Sequence, residues 1–158
     1  MASSVLFVCM GNICRSPTAH GVMDHMLRAS GLQAHCRVDS AGTHNYHPGA
    51  APDARSQLHA AKRGYDLSNL RARQIEEADF EKFDLILAMD WDNLALIEAM
   101  APAQHLKKVR RLAEFFQTSQ ATVVPDPYYG GETSFEEVLD LVEDGCRGLV
   151  LHLQKLQR

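Results

Sequence analysis

The sequence predicts an α/β fold, a single three-layer domain over residues 1–158 with a four-stranded parallel sheet and helices on both faces. Two observations support this. Short continuous apolar runs, typical of strands buried on both faces, alternate with segments whose apolar residues recur every three or four positions. The length of 158 residues fits one domain, and 46% hydrophobic with 23% charged residues supplies one closed core.

The first forty residues are predicted to form a βαβ unit. The apolar run at 5–8 is the first strand. Ser16 is the expected N-cap of the following helix, and Pro17 its first residue, where the missing N–H costs nothing. Gly31 ends that helix, and a short strand at 36–39 follows.

The middle of the chain continues the alternation. A helix is predicted at 53–63, ended by Gly64, and a second buried strand at 83–89. Asp90 can cap the next helix, which Pro102 ends.

The last third contains one ambiguous segment and one clear helix. Residues 107–116 fit either strand or helix, and we favour a strand at 109–113 because the alternation otherwise lacks its fourth strand. A long helix is predicted at 133–157, where Thr133 and Glu136 match a capping box.

The charge and the N-terminus restrict partners and compartment. A net charge of −4 gives no general attraction for nucleic acid or anionic membrane, so neither is an expected partner. No apolar run approaches the ~18 residues that span a bilayer, and the N-terminus lacks a basic signal-peptide region. The expected compartment is the cytoplasm, where thiols stay reduced. Catalytic, redox or buried roles are therefore expected for Cys9, Cys14, Cys36 and Cys146.

The loop that joins the first strand to the first helix is predicted to bind an anion. Ligands of parallel sheets bind beyond the carboxyl ends of the strands, and a helix N-terminus attracts anions. Gly11 and Asn12 tolerate the left-handed backbone of a tight anion-binding nest. Arg15 can hold two phosphate oxygens at once. In that field Cys9 should ionise well below the ~8.5 of a free cysteine and attack as a thiolate.

The plain alternative is a buried loop cysteine beside a solvated arginine. Cys9 and Arg15 stand six residues apart, a spacing that is weak by itself. An arginine in the first turn opposes the helix dipole, however, and a bound anion removes that objection. The strand before the loop and the helix after it therefore favour the catalytic interpretation.

The segment 9–17, Cys-Met-Gly-Asn-Ile-Cys-Arg-Ser-Pro, resembles the signature of the low-molecular-weight protein tyrosine phosphatases. The resemblance covers nearly the whole chain, since segments at 40–43, 72–74, 89–93 and 126–129 also match in order. It implies a metal-independent enzyme without cofactors. Tyrosine-phosphorylated proteins are the implied substrates, and inorganic phosphate or vanadate the implied competing ligands.

The resemblance also implies the roles of individual residues. Cys9 is the nucleophile that forms a cysteinyl-phosphate, Arg15 binds the phosphate, and Asp126 is general acid and then base. Without the resemblance, Asp126 is equally a turn former beside proline. A phenyl phosphate, unlike a short phosphoserine, fills a deep aromatic slot. The residues expected to bind substrate are Met10, Gly11, Asn12, Ile13, Cys14, Ser16, Tyr46, Tyr128 and Tyr129.

Several neighbours have supporting roles in this interpretation. Ser16 is expected to donate a hydrogen bond to the Cys9 sulfur in addition to capping its helix. Asn12 with Ser40 resembles the pair that supports the strained loop backbone of the family. Cys14 is expected to pair with the nucleophile under oxidation, the alternative being a buried core thiol.

The roles of other residues near the cleft stay open. Trp91 either adds to the rim or packs against a helix start. His44 and His47 lie near the cleft, but we do not expect them to bind a metal, because the sequence offers no matching pair of ligands elsewhere.

Three competing functions remain. A thiol-dependent arsenate reductase on the same fold needs further cysteines in a mobile segment, and residues 60–110 contain none. Phosphoarginine hydrolysis is associated in this family with a threonine at the position of Ile13. A phosphate-binding module without catalysis would tolerate loss of Cys9 or Asp126, and both are present.

Overall fold

The computed structural model describes residues 3–157 and contains one parallel sheet. The strand order is β2-β1-β3-β4, and every neighbouring pair is parallel. This confirms the predicted four-stranded parallel sheet; residues 1, 2 and 158 of the predicted domain lie outside the described residues. The strands are β1 (Ser3–Cys9), β2 (Cys36–Gly42), β3 (Leu85–Ala88) and β4 (Val109–Arg111).

Helices cover both faces of the sheet, as predicted. Alternate residues of β1 point to opposite sides: Val5 and Phe7 enter a core shared with the first and last helices, whereas Leu6 and Val8 pack with Ile97 of the fourth. The helices are α1 (Arg15–Ala29), α2 (Ala54–Lys62), α3 (Asp79–Lys82), α4 (Trp91–Met100) and α5 (Glu132–Leu156).

The start of α1 differs from the sequence prediction. The helix begins at Arg15 with Cys14 in the cap position, so Ser16 and Pro17 lie inside its first turn. The Ser16 hydroxyl makes no cap hydrogen bond because it is directed at the sulfur of Cys9. The predicted Ser16 N-cap is therefore wrong, and its hydroxyl is free for the site.

The predicted capping box of α5 is also wrong. This helix begins at Glu132 after Gly131 and has no side-chain cap. Glu136 instead contacts His59 and Arg63 of the neighbouring α2 region. Ion pairing with another element has replaced a local cap.

The strand expected at 109–113 is shorter than predicted. β4 ends at Arg111, and a 3₁₀ turn over Leu112–Phe115 follows. Leu112 and Phe115 are both buried, and residues three apart share one side of a 3₁₀ turn but lie on opposite faces of a strand.

Candidate active site

The loop between β1 and α1 lies at the carboxyl end of the sheet. Asn12 adopts a left-handed backbone with φ of 57°, as the anion-nest interpretation requires. Gly42 at the end of β2 packs directly under the loop, because a Cβ there would lie 2.7 Å from the Met10 carbonyl oxygen. The main-chain N–H of Thr43 donates to the Cys9 carbonyl at 2.8 Å, which ties β2 to the loop.

The side chain of Asn12 holds the loop in place from behind. Its Nδ2 donates to Ser16 Oγ at 2.7 Å, and its Oδ1 accepts from the main-chain N–H of Arg73 at 3.0 Å. The hydroxyl of Ser40 instead lies 3.3 Å from His20 Nδ1. Asn12 thus makes hydrogen bonds that support the loop, whereas the hydroxyl of Ser40 contacts His20.

The sulfur of Cys9 is buried and lies 3.0 Å from Ser16 Oγ. Since Asn12 donates to that hydroxyl, the single hydroxyl proton of Ser16 is left for another acceptor. The alternatives are the Cys9 sulfur and the Ala41 carbonyl oxygen, which lies farther away at 3.3 Å. The geometry therefore supplies a donor to a Cys9 thiolate.

Arg15 is only 2% exposed and is held by two partners. Its Nη1 donates to Asp90 Oδ2 at 2.6 Å and to the Val124 carbonyl at 3.0 Å. Burial works to lower the pKa of Arg15, but the nearby Cys9 sulfur and Asp90 carboxylate outweigh it and raise the pKa above its usual value. The guanidinium is a fixed cation beside the sulfur.

Asp90 has a second role that the sequence did not reveal. It caps α4 as predicted, with Oδ1 accepting from the Asn93 N–H at 2.7 Å. Its other carboxylate oxygen orients Arg15, a role that only the adjacency of β1 and β3 could have indicated.

Asp126 lies at the mouth of the same site. Its Oδ2 is 3.8 Å from Arg15 Nη2, and its Oδ1 accepts from the Tyr128 N–H at 3.0 Å. That turn, flanked by prolines 125 and 127, holds the carboxyl group toward the loop.

These side chains surround one cavity of about 330 Å³. Asn12, Ser16 and Ser40, predicted for the site, are not among its lining residues; the first two support the loop from behind. Tyr46 stacks on His44 with ring centroids 4.8 Å apart, while Tyr129 is 95% exposed at the rim. The lining residues are Cys9, Met10, Gly11, Ile13, Cys14, Arg15, Tyr46, His47, Asp126, Tyr128 and Tyr129.

Cys14 lines the cavity in a different environment from Cys9. Burial raises the pKa of the Cys14 thiol to about 12, although a hydrogen bond with Ser56 acts to lower it. The neighbouring carbonyl of Ile13 accepts from the Asp53 N–H at 2.8 Å, so the start of α2 supports this part of the loop. The sequence pattern did not single out Asp53 and Ser56 for the site.

The remaining candidates lie away from the cavity. The Trp91 ring packs under the guanidinium of Arg111, with the guanidinium carbon 3.8 Å from the ring centroid. Cys36 and Cys146 are buried in β2 and α5. Within residues 3–157, no group of three or more His, Cys, Asp or Glu side chains is placed to hold a metal ion. None of the described helices combines the length and apolar character that crossing a membrane requires.

Comparison with known proteins identifies the family. The model of the low molecular weight phosphotyrosine protein phosphatases matches residues 4–158. The chain belongs to this family. This confirms the resemblance carried by the loop at 9–17.

Individual members of the low molecular weight phosphatase family match this chain over almost their full length. A Synechocystis relative is 48% identical over 96% of both chains. A low molecular weight protein-tyrosine-phosphatase of Bacillus subtilis is 39% identical, again over 96% of each chain. The crystal structure of a protein tyrosine phosphatase from Entamoeba histolytica with Hepes in the active site has a TM-score of 0.95 at 39% identity. That match covers 99% of this chain and 100% of the other.

Proposed function

We propose that this protein is a protein tyrosine phosphatase that hydrolyses phosphotyrosine and aryl phosphates through a cysteinyl-phosphate. One observation carries the proposal: the sulfur of Cys9, the guanidinium of Arg15 and the carboxyl group of Asp126 line a single cavity. A nucleophile, an anion-binding cation and a proton donor are the three groups that hydrolysis of a phosphate ester needs.

The cavity suits a tetrahedral anion. The start of α1 contributes main-chain N–H groups and the positive end of its dipole, and Arg15 supplies the cation. Hepes carries a sulfonate, a tetrahedral anion, and occupies the active site of the Entamoeba relative. We therefore expect inorganic phosphate and vanadate to compete with substrate here.

In the first step, the Cys9 thiolate attacks phosphorus in line with the leaving oxygen. The S–P bond forms as the P–O ester bond breaks, and Asp126 gives its proton to the departing oxygen. The loop N–H groups and Arg15 stabilise the charge on the equatorial oxygens. The products are an alcohol or phenol and a phosphorylated Cys9.

In the second step, water attacks phosphorus and the S–P bond breaks. Asp126, now a carboxylate, takes a proton from the water, and inorganic phosphate leaves. The Ser16 hydroxyl, 3.0 Å from the sulfur, stabilises the thiolate as it departs.

Aromatic side chains support phosphotyrosine as the substrate. Tyr46 and Tyr128 line the cavity, and Ile13 adds an apolar side chain to the lining. A phenyl ring buries its faces against such walls, whereas the short chain of phosphoserine reaches neither.

Cys14 is proposed as the reversible partner of Cys9 under oxidation. Peroxide would oxidise the Cys9 thiolate to a sulfenic acid, and the Cys14 sulfur would then attack the Cys9 sulfur, forming a disulfide as the S–O bond breaks and the thiol proton leaves with the oxygen as water. Both cysteines line the cavity as free thiols. A reducing compartment such as the predicted cytoplasm would return the site to its active form.

The direct test is hydrolysis of p-nitrophenyl phosphate and of a phosphotyrosine peptide with and without EDTA. Both substrates should be hydrolysed, EDTA should have no effect, and vanadate should inhibit. Quenching the reaction in acid should trap phosphate on Cys9. Reduction of arsenate without phosphatase activity, binding of phosphate without turnover, or hydrolysis confined to phosphoarginine would contradict the proposal.

A further inference from the structure

Trp91 and Arg111 form an exposed aromatic-cation pair outside the cavity. Trp91 is the first residue of α4 and 53% exposed, which is unusual for so large an apolar side chain. Arg111 ends β4, and its guanidinium carbon lies 3.8 Å from the centroid of the Trp91 ring. Trp91 follows β3 and Arg111 ends the neighbouring β4, so the pair lies at the carboxyl edge of the sheet, as the cavity does.

The guanidinium of Arg111 is held by a carbonyl group and forms no salt bridge. Its Nη1 donates to the Thr122 carbonyl at 2.7 Å, and within residues 3–157 no carboxylate oxygen lies within 4.0 Å of its side-chain nitrogens, although Glu114 accepts from its main-chain N–H at 2.9 Å. Its neighbour Arg110 differs, since its Nε lies 3.1 Å from Glu114. Arg111 is thus a rigidly held cation with hydrogen-bonding capacity left over.

The pair is close enough to the cavity for one substrate peptide to reach both. Trp91 directly follows Asp90, which bonds Arg15 at 2.6 Å. Thr122 precedes Asp126 by four residues, so their Cα atoms are at most ~14 Å apart. An extended peptide advances ~3.3 Å per residue, and thus covers this distance within about four residues.

The chemistry of the pair selects an acidic partner. Segment 107–111 carries four cations in five positions; Lys108 donates to the Phe80 carbonyl and Arg110 pairs with Glu114, so the side chain of Arg111 is the cation that this pair offers to a partner. Arginine and tryptophan are the residues most enriched among those that dominate protein–protein binding energy. A guanidinium stacked on an indole is held in orientation, so it loses little entropy on meeting a carboxylate.

We propose that Trp91 and Arg111 form a docking platform for an acidic residue two to five positions from the phosphotyrosine of protein substrates. The platform rests on the proposed phosphatase activity and adds a substrate preference to it. The carboxylate pairs with the guanidinium of Arg111, and the adjoining peptide backbone and side chains cover the exposed face of Trp91.

The simpler role for Arg111 is to anchor the segment that leads to Asp126. An anchor alone would affect all phosphotyrosine peptides equally, because it acts through the position of the acid and these peptides share one leaving group. A docking platform changes the ratio between acidic and neutral substrates. The ratio of their kcat/KM values therefore separates the two roles.

The test uses pairs of phosphotyrosine peptides identical except for Asp or Asn, two to five positions before or after the phosphotyrosine. We expect the native enzyme to favour the Asp peptide by about threefold to tenfold in kcat/KM on at least one side. Arg111→Gln should abolish the preference, whereas Arg110→Gln, the matched loss of one charge from the same strand, should retain most of it. The preference of the native enzyme should weaken at high salt.

Two further results complete the test. Trp91→Ala should reduce the preference with little change in its salt dependence, because it removes the surface and leaves the charge. Equal hydrolysis of both peptides by the native enzyme, or equal preferences in the Arg111 and Arg110 variants, would overturn the platform. Failure of the native enzyme to hydrolyse either peptide would instead overturn the proposed function.

Discussion

Cys9 and Cys14 occupy the same loop and line the same cavity, yet their surroundings differ. Both side chains are almost fully buried, at 3% and 4% exposure. The sulfur of Cys9 meets the Ser16 hydroxyl and the field of the Arg15 guanidinium. That of Cys14 has one Ser56 partner, and burial raises its pKa to about 12.

The difference shows that burial does not by itself decide the reactivity of a thiol. Each sulfur has a hydroxyl partner, Ser16 for Cys9 and Ser56 for Cys14, but the buried Arg15 guanidinium interacts with the sulfur of Cys9 and favours a negative charge there. Only four residues of chain separate the proposed nucleophile from a protonated thiol. The predictions that follow use this contrast, starting with the largest expected effect.

Serine substitution at each cysteine gives the sharpest contrast. Cys9→Ser should reduce kcat by at least ~10⁴, because a hydroxyl is a poor nucleophile at neutral pH. Cys14→Ser should cost no more than about tenfold, since a serine hydroxyl retains a partner in Ser56. Steady-state hydrolysis of p-nitrophenyl phosphate measures both. Comparable losses in the two variants would mean that the loop fails as a whole and that Cys9 has no special role.

Asp126→Asn tests the proton donor that serves only the Cys9 reaction. The amide cannot protonate the leaving oxygen, so kcat should fall by roughly 10²–10⁴. The loss should be greater for phosphotyrosine than for p-nitrophenyl phosphate, whose leaving group needs less protonation. An equal loss for the two substrates would contradict the acid role.

Ser16→Ala removes the hydroxyl that lies 3.0 Å from the sulfur of Cys9. A hydrogen bond to a charged group contributes about 1.5–3 kcal/mol, so turnover should fall roughly tenfold to a hundredfold. The S–P cleavage step should slow most, so the burst of p-nitrophenol measured by stopped flow should become more pronounced. Unchanged kinetics would show that the 3.0 Å contact with Cys9 does not stabilise a thiolate.

The sequence predicted the sheet and the position of the loop because both follow from local patterns. The apolar run before Cys9 indicated a buried strand, and the capping role of Asp90 followed from local preference. Such local patterns could not predict long-range contacts. The Arg73 N–H that holds Asn12 comes from 61 residues away along the chain.

The errors arose where one side chain had two possible partners. Ser16 matches the residue preference of an N-cap, but its hydroxyl contacts the sulfur of Cys9 instead. Glu136 fits a capping box, but Arg63 and His59 bind its carboxylate. Tertiary contacts overrode local preference in both cases, which sequence periodicity cannot reveal.

The most direct test of the central claim is alkylation of the native protein with iodoacetate at a series of pH values, with each cysteine quantified by mass spectrometry. We predict that Cys9 is labelled rapidly at neutral pH, that phosphate slows its labelling, and that Cys14 stays unlabelled through pH ~9, well below its pKa of about 12. Labelling of Cys9 at neutral pH that is no faster than that of Cys14, with no protection by phosphate, would contradict the account.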